Sequence, residues 1–145
     1  MRKLVLPLLQ VVITIVITFL ITLTLFGCGK SSNEFLGDNY YDGLDALAAM
    51  DDLIDEKTTS HDAHDIMSNC YDKIDKTIKD SDNESSISYV DSKKLKEQLC
   101  CCEIAATDVG VGKIDGSISK PMNEFTKERN TFASILGKSS RKMPY

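Results

Sequence analysis

Leu95–Val109 reads LKEQLCCCEIAATDV, and the placement of its apolar residues decides the fold. Leu95, Leu99, Cys102, Ala106 and Val109 follow at intervals of four, three, four and three, the spacing of a helical seam packed against partner helices. The polar residues between them fall off that seam, which leaves one buried stripe and a solvated remainder. Upstream, Val90-Asp91 has the form of a staple residue followed by an N-cap, so the helix is expected to open there. Downstream, Gly110 and Gly112 are expected to end it.

The same period recurs on both sides. Leu36, Tyr40, Leu44, Leu47, Met50 and Ile54 predict a first helical face, with Asp38, Asp42, Asp45, Asp52 and Asp55 opposite. Thr59 and Asp62 read as a cap and its reciprocal partner, opening a second helix with inner face Ala63, Met67, Cys70, Ile74 and Ile78. Asp75 and Lys79 are spaced to support it across one turn. A loop through Gly116 leads to Ser119 and Pro121, suited to the first turn of another helix, whose buried side is Met122, Phe125, Phe132, Ala133 and Leu136 and whose stop is Gly137. No strand-like alternation competes after residue 33. The sequence therefore predicts an all-α fold, a small bundle of three or four helices joined by short loops over residues 34–137, with 138–145 as a basic tail.

The 145 residues allow one compact domain at most. Residues 28–92 hold 5 basic and 16 acidic groups, whereas 93–145 hold 10 basic and 6 acidic, so the two halves are expected to attract one another within the bundle. A second reading lets Lys138, Arg141 and Lys142 lean on anionic headgroups. The acidic balance argues against nucleic acid as a partner. Two histidines in one helical turn, and no nucleophile in a G-x-S-x-G turn, leave little from which to assemble an enzyme, and no cofactor is expected.

The first 27 residues have a different character. Arg2 and Lys3 precede 23 residues without a charge, Leu4 to Phe26, about 34 Å as a helix and enough to cross a bilayer. The basic end stays in the cytoplasm, which delivers the remainder to the outer side. The run ends in Leu25-Phe26-Gly27-Cys28, and here the sequence resembles the lipobox signal of bacterial lipoproteins. The resemblance implies cleavage between Gly27 and Cys28, diacylglycerol on the Cys28 thiol, an acyl chain such as palmitate on the new amino group, and residues 28–33 as a tether. Two or three acyl chains hold a soluble domain at a bilayer stably, at about 0.8 kcal/mol per buried methylene. Gly29 after the cysteine leaves an outer-membrane site open in a Gram-negative cell. Phe26 and the length of the apolar run depart from the usual signal, and a retained helix would carry the polar stripe Gln10, Thr14, Thr18 and Thr22. Gly27-Cys28-Gly29-Lys30-Ser31 is no phosphate loop, because Thr24 stands where G-x-x-x-x-G-K-[ST] needs glycine.

Three further constellations carry chemistry. Cys70 and Cys102 both fall on inward faces outside the cytoplasm, so a disulfide closing a 33-residue loop is one expectation and a pair of small buried apolar residues the other. Cys100 and Cys101 splay away from that seam, too divergent to chelate a metal with Cys102. His61 and His64, with Asp65, share helical spacing with a minimal zinc or copper site, although polar residues are ordinary in a first turn. Asp80 to Asp91 resembles a calcium loop of the EF-hand or dockerin kind, with oxygen side chains at Asp80, Asp82 and Glu84, Ile87 within it and Asp91 closing. Ser85 stands where that family needs glycine, and the same residues suit a solvated turn. Asn83-Glu84-Ser85 fits a glycosylation sequon, which a bacterial lipobox discounts.

Together these residues lead to an expectation: a lipid-anchored module on the extracytoplasmic face of a cell membrane, binding or structural in role, whose partners are membrane lipid through Cys28 and a protein of the envelope. The alternatives are an envelope calcium, zinc or thiol protein, and a membrane-spanning accessory subunit with its first helix retained.

Overall fold

The computed structural model describes residues 36–81 and 87–145. Four α-helices follow in order, α1 Asn39–Ile54, α2 Ser60–Lys79, α3 Ile87–Asp115 and α4 Ser119–Ile135, with no strand among the described residues. Each packs most extensively on its chain neighbours, and α4 closes the ring with a lighter contact to α1. Short connections make successive helices antiparallel. Phe125 and Phe132 of α4, Met50 and Leu53 of α1, Met67 and Ile74 of α2, and Leu95 and Leu99 of α3 meet as fully buried side chains in one core. Among the described residues no helix is long and apolar enough to cross a membrane.

The two best-patterned helices form as their sequences dictate. The Thr59 hydroxyl accepts the Asp62 amide N–H at 3.1 Å and so caps α2, while it donates to the Asp62 carboxylate at 2.7 Å. Ala63, Met67, Cys70, Ile74 and Ile78 are all buried, and Lys79 meets Asp75 at 2.5 Å one turn away. All five seam residues of α3 are fully buried.

α1 differs. Its buried positions Asn39, Gly43, Ala46, Met50 and Leu53 also run four, three, four, three, whereas Tyr40, Leu44 and Ile54 are only half-buried. Leu36, Leu47 and Met50 of the expected face are buried, and the seam is turned toward the preceding positions because Asn39 and Gly43 hold two of them. Gly43 sits there for closeness: a Cβ would stand 2.8 Å from Leu136 Cδ2 and 3.2 Å from Leu95 Cδ2, so its absence lets α3 and α4 touch the backbone of α1.

α3 is longer than expected at both ends. It opens at Ile87, placing Val90 and Asp91 inside the helix, and Val90 is exposed. It also runs through Gly110 and Gly112 to Asp115. Those glycines serve packing, since a Cβ on Gly110 would lie 2.5 Å from Ser60 Oγ and one on Gly112 3.0 Å from Pro121 Cγ and 3.3 Å from Ile118 Cα. The helix stops instead at Gly116, whose φ of +77° follows the last turn.

α4 ends in a Schellman motif. Lys138 N–H reaches Ala133 O at 2.8 Å and Gly137 N–H reaches Ser134 O at 3.1 Å, with Gly137 at φ +67°. Residues 138–145 then turn back along α4. Arg141 and Asn130 exchange two hydrogen bonds, N–H to Oδ1 at 2.7 Å and Nδ2 to the carbonyl at 2.8 Å, and Asn123 does the same with Tyr145 at 3.0 and 3.3 Å.

Candidate functional site

Gly27 and Cys28, the stripe Gln10, Thr14, Thr18 and Thr22, and Asp82 and Glu84 of the calcium-like loop lie outside the described residues. Of that loop, Asp80 is the C-cap of α2, and Asp91 lies within α3 with Lys94 at 3.3 Å.

The four described cysteines are free thiols. Cys70 and Cys102 are both buried and inward, as their spacing predicts, but they serve different interfaces. Cys70 lies against Asp42, Asp45 and Ala46 of α1, whereas Cys102 lies near Gln98 and Glu128, the latter on α4. Burial pushes the Cys70 thiol up to about 11 and raises Cys102 as well, so both stay protonated and apolar at neutral pH. Cys100 is half-buried and Cys101 exposed, diverging as their helical angles require.

His61 and His64 flank Asp65 at 3.7 and 3.9 Å, contacts with one carboxylate rather than three ligands around one point. Among the described residues no three His, Cys, Asp or Glu side chains group as a metal-holding set.

What these histidines do line is a groove of about 330 Å³ between the start of α2 and the second half of α3, floored by Gly110 and walled by Thr107, Val111 and Ile114. At Gly110 the missing Cβ lets Ser60 approach α3 closely beside this groove. The wall continues as an unpartnered apolar face: Ile104 is 62%, Val111 55% and Ile114 89% exposed. Ile104 and Val111 are seven residues apart, two turns along one line of the helix surface, directly opposite the buried seam. A run of exposed aliphatics on one face is a mark of an interaction site.

Acidic groups frame this face. Asp65 contacts both histidines, Asp62 borders an adjoining hollow shared with Ile114, and Asp108 borders another shared with Val111. Glu103 is half-buried with its Oε1 lacking a hydrogen-bond partner. Its carboxyl is pushed above the ordinary range chiefly by burial, with Asp72 adding to the rise and His64 opposing it. Basic residues border the same hollows, Lys57 and Lys113 beside Asp62 and Lys120 beside Asp108. The sequence reading missed the face because it followed the seam; the signal was the aliphatic residues left over once the seam had been assigned.

A second cluster is structural. Asp51 accepts both Nε and Nη2 of Arg129 at 2.9 and 3.0 Å and Nη1 of Arg141 at 3.1 Å, and Arg141 also pairs with Asp55. Arg129, whose side chain is only 6% exposed, donates as well to Ser139 O at 2.7 Å. Arg141 and Lys57 hold the Asp55 carboxyl below its usual range. This network ties α1, α4 and the tail together, so Arg141 is occupied within the bundle, and Lys138 lies over the Tyr40 ring at 5.6 Å.

No protein-family model, curated protein or solved structure matches the chain.

Proposed function

We propose that this protein is a lipid-anchored extracytoplasmic module that binds another envelope protein through the outer face of α3. Leu25-Phe26-Gly27-Cys28 at the end of a 23-residue uncharged run carries the anchoring half of this reading. The exposed Ile104, Val111 and Ile114 support the binding half. Asp62, Asp65, Asp108 and Glu103 around that face fit a partner segment that is apolar on one side and cationic at its edges, the helix-in-groove mode of recognition.

Intact mass of protein extracted from membranes tests the anchor. The expected species begins at Cys28 and carries added acyl mass, and Cys28→Ala is expected to keep residues 1–27 and gain none. An unmodified wild-type chain that retains residues 1–27 overturns the reading. A synthetic Lys/Leu amphipathic helix then tests the face: it is expected to bind and a Glu/Leu helix of equal hydrophobicity to fail, whereas equal binding of both removes the charge argument.

A further inference from the structure

The outside of α3, opposite its buried seam, carries a symmetric order of side chains. About a point between Cys100 and Cys101, Ile104 mirrors Glu97, Asp108 mirrors Lys93 and Val111 mirrors Val90. These six residues are all exposed, and with the two cysteines they fall within about 50° of one line along the helix. Val90 is the residue that the staple pattern would have buried, yet it is 43% exposed. Lys93 and Asp108 have no ion-pair partner within the chain among the described residues, whereas the adjacent Lys94 is held by Asp91 at 3.3 Å.

Two antiparallel copies of one helix require such an order. A two-fold axis between Cys100 and Cys101 sets Val90 on Val111 and Lys93 on Asp108, each pairing occurring twice by symmetry. A parallel pairing in register would instead set Lys93 on Lys93 and Asp108 on Asp108, like charge against like. We infer that the partner of this face is a second copy of the same chain, docked antiparallel through α3 about that axis, with Cys100 of one copy beside Cys101 of the other. The inference rests on the docking reading proposed above and names its partner, because the second copy supplies both the apolar side and the cationic edge. Apolar residues meet at the two ends of the contact, opposite charges inside them and thiols at the centre. Glu97 against Ile104 is the mixed layer, and with it a single helix pair gives a dissociation constant of about micromolar order.

Sedimentation equilibrium of the full chain in density-matched non-ionic detergent tests the inference. A dimer is expected. Lys93→Asp and Asp108→Lys are each expected to weaken it roughly tenfold, and the two changes in one chain to restore it to within about threefold. Lys93 and Asp108 of one chain lie about 22 Å apart along the helix, so the rescue reports contact between copies. Both are exposed, and helicity by circular dichroism is expected to stay unchanged. A second readout uses oxidised glutathione, which is reduced to two thiols as two protein thiols are oxidised to one disulfide. A Cys100→Ser copy mixed with a Cys101→Ser copy is expected to cross-link more than either alone. A dimer indifferent to the charge changes, single losses without rescue, or cross-linking no greater in the mixture overturns the inference. A monomeric chain that still binds the Lys/Leu helix overturns the inference alone and assigns the face to a different protein. One that neither dimerises nor binds that helix overturns the docking reading as well.

Discussion

Glu56 follows the last turn of α1 at φ +57°, with Lys57 N–H on Asp52 O at 2.8 Å and its own N–H on Leu53 O at 3.2 Å. This is the hydrogen-bond pattern that Gly137 makes after α4, built on a residue with a Cβ. The left-handed region costs an L-residue about 1–2 kcal/mol, part of which glycine gives back in unfolded-state entropy. Glu56→Gly is therefore expected to stabilise the fold by about 0.5–1 kcal/mol, read as a higher urea midpoint at unchanged m-value. Glu103 makes a pH-dependent counterpart. Its folded carboxyl titrates above the free value of 4.5, so protonation favours the fold and the burial cost emerges as pH rises past that value. Glu103→Gln is expected to raise Tm at pH 7 and to leave it unchanged at pH 3.5, and a gain of equal size at both would assign the effect to packing. Asp55, Asp75 and Asp115 have the opposite sign: their carboxyls are held below 3.8, so what they contribute is present above that value and is lost as pH falls through their folded values.

At the scale of the helix, sequence legibility depended on whether apolar side chains held the seam. In α2 they hold every inward position, and cap and face are both legible. In α1 the inward positions include Asn39 and Gly43, one chosen for a buried hydrogen bond and the other for contact with Leu136 and Leu95, so the apolar pattern finds Leu36, Leu47 and Met50 but misses those two. Glycine misleads again in α3, where Gly110 and Gly112 signal a stop that the approach of Ser60 and Pro121 explains better. The candidate site was legible only by subtraction, as aliphatics without a place in the core. That distinction sets an expectation for the outer face. Ile104→Ser, Val111→Ser and Ile114→Ser together are expected to shift stability by no more than about 0.5 kcal/mol per site, since none fills the core. The same triple variant is expected to lose the Lys/Leu helix. Loss of stability comparable to a core truncation would instead make this face part of the fold.

For the whole molecule, the unequal halves of the charge pattern meet where the ring of helices is most lightly packed. α1 and α4 share less contact than successive helices do, and there Asp51 receives Arg129 from α4 and Arg141 from the tail. The attraction between halves acts here with the tail as its strap, and a second time between α2 and α3, where Lys96 meets Asp75 at 2.8 Å. Removing Asp51 leaves Arg129 buried without its carboxylate, so Asp51→Ala is expected to cost about 2–4 kcal/mol, between a surface pair and a fully buried one. Asp51→Leu combined with Arg129→Met is expected to cost less than Asp51→Ala alone, because it removes both charges from the low-dielectric seam. Deleting residues 139–145 spares the Gly137 cap yet removes the Ser139 carbonyl and Arg141 from the network, with an expected cost of about 1–3 kcal/mol. Hydrogen exchange locates the effect. Faster exchange is expected at the end of α1 and along α4, while the α2–α3 seam, held by Leu95, Leu99, Met67 and Ile74, keeps its protection. Uniform acceleration through all four helices would mean instead that the bundle opens as one unit, and that the strap supports the whole core rather than its closing edge.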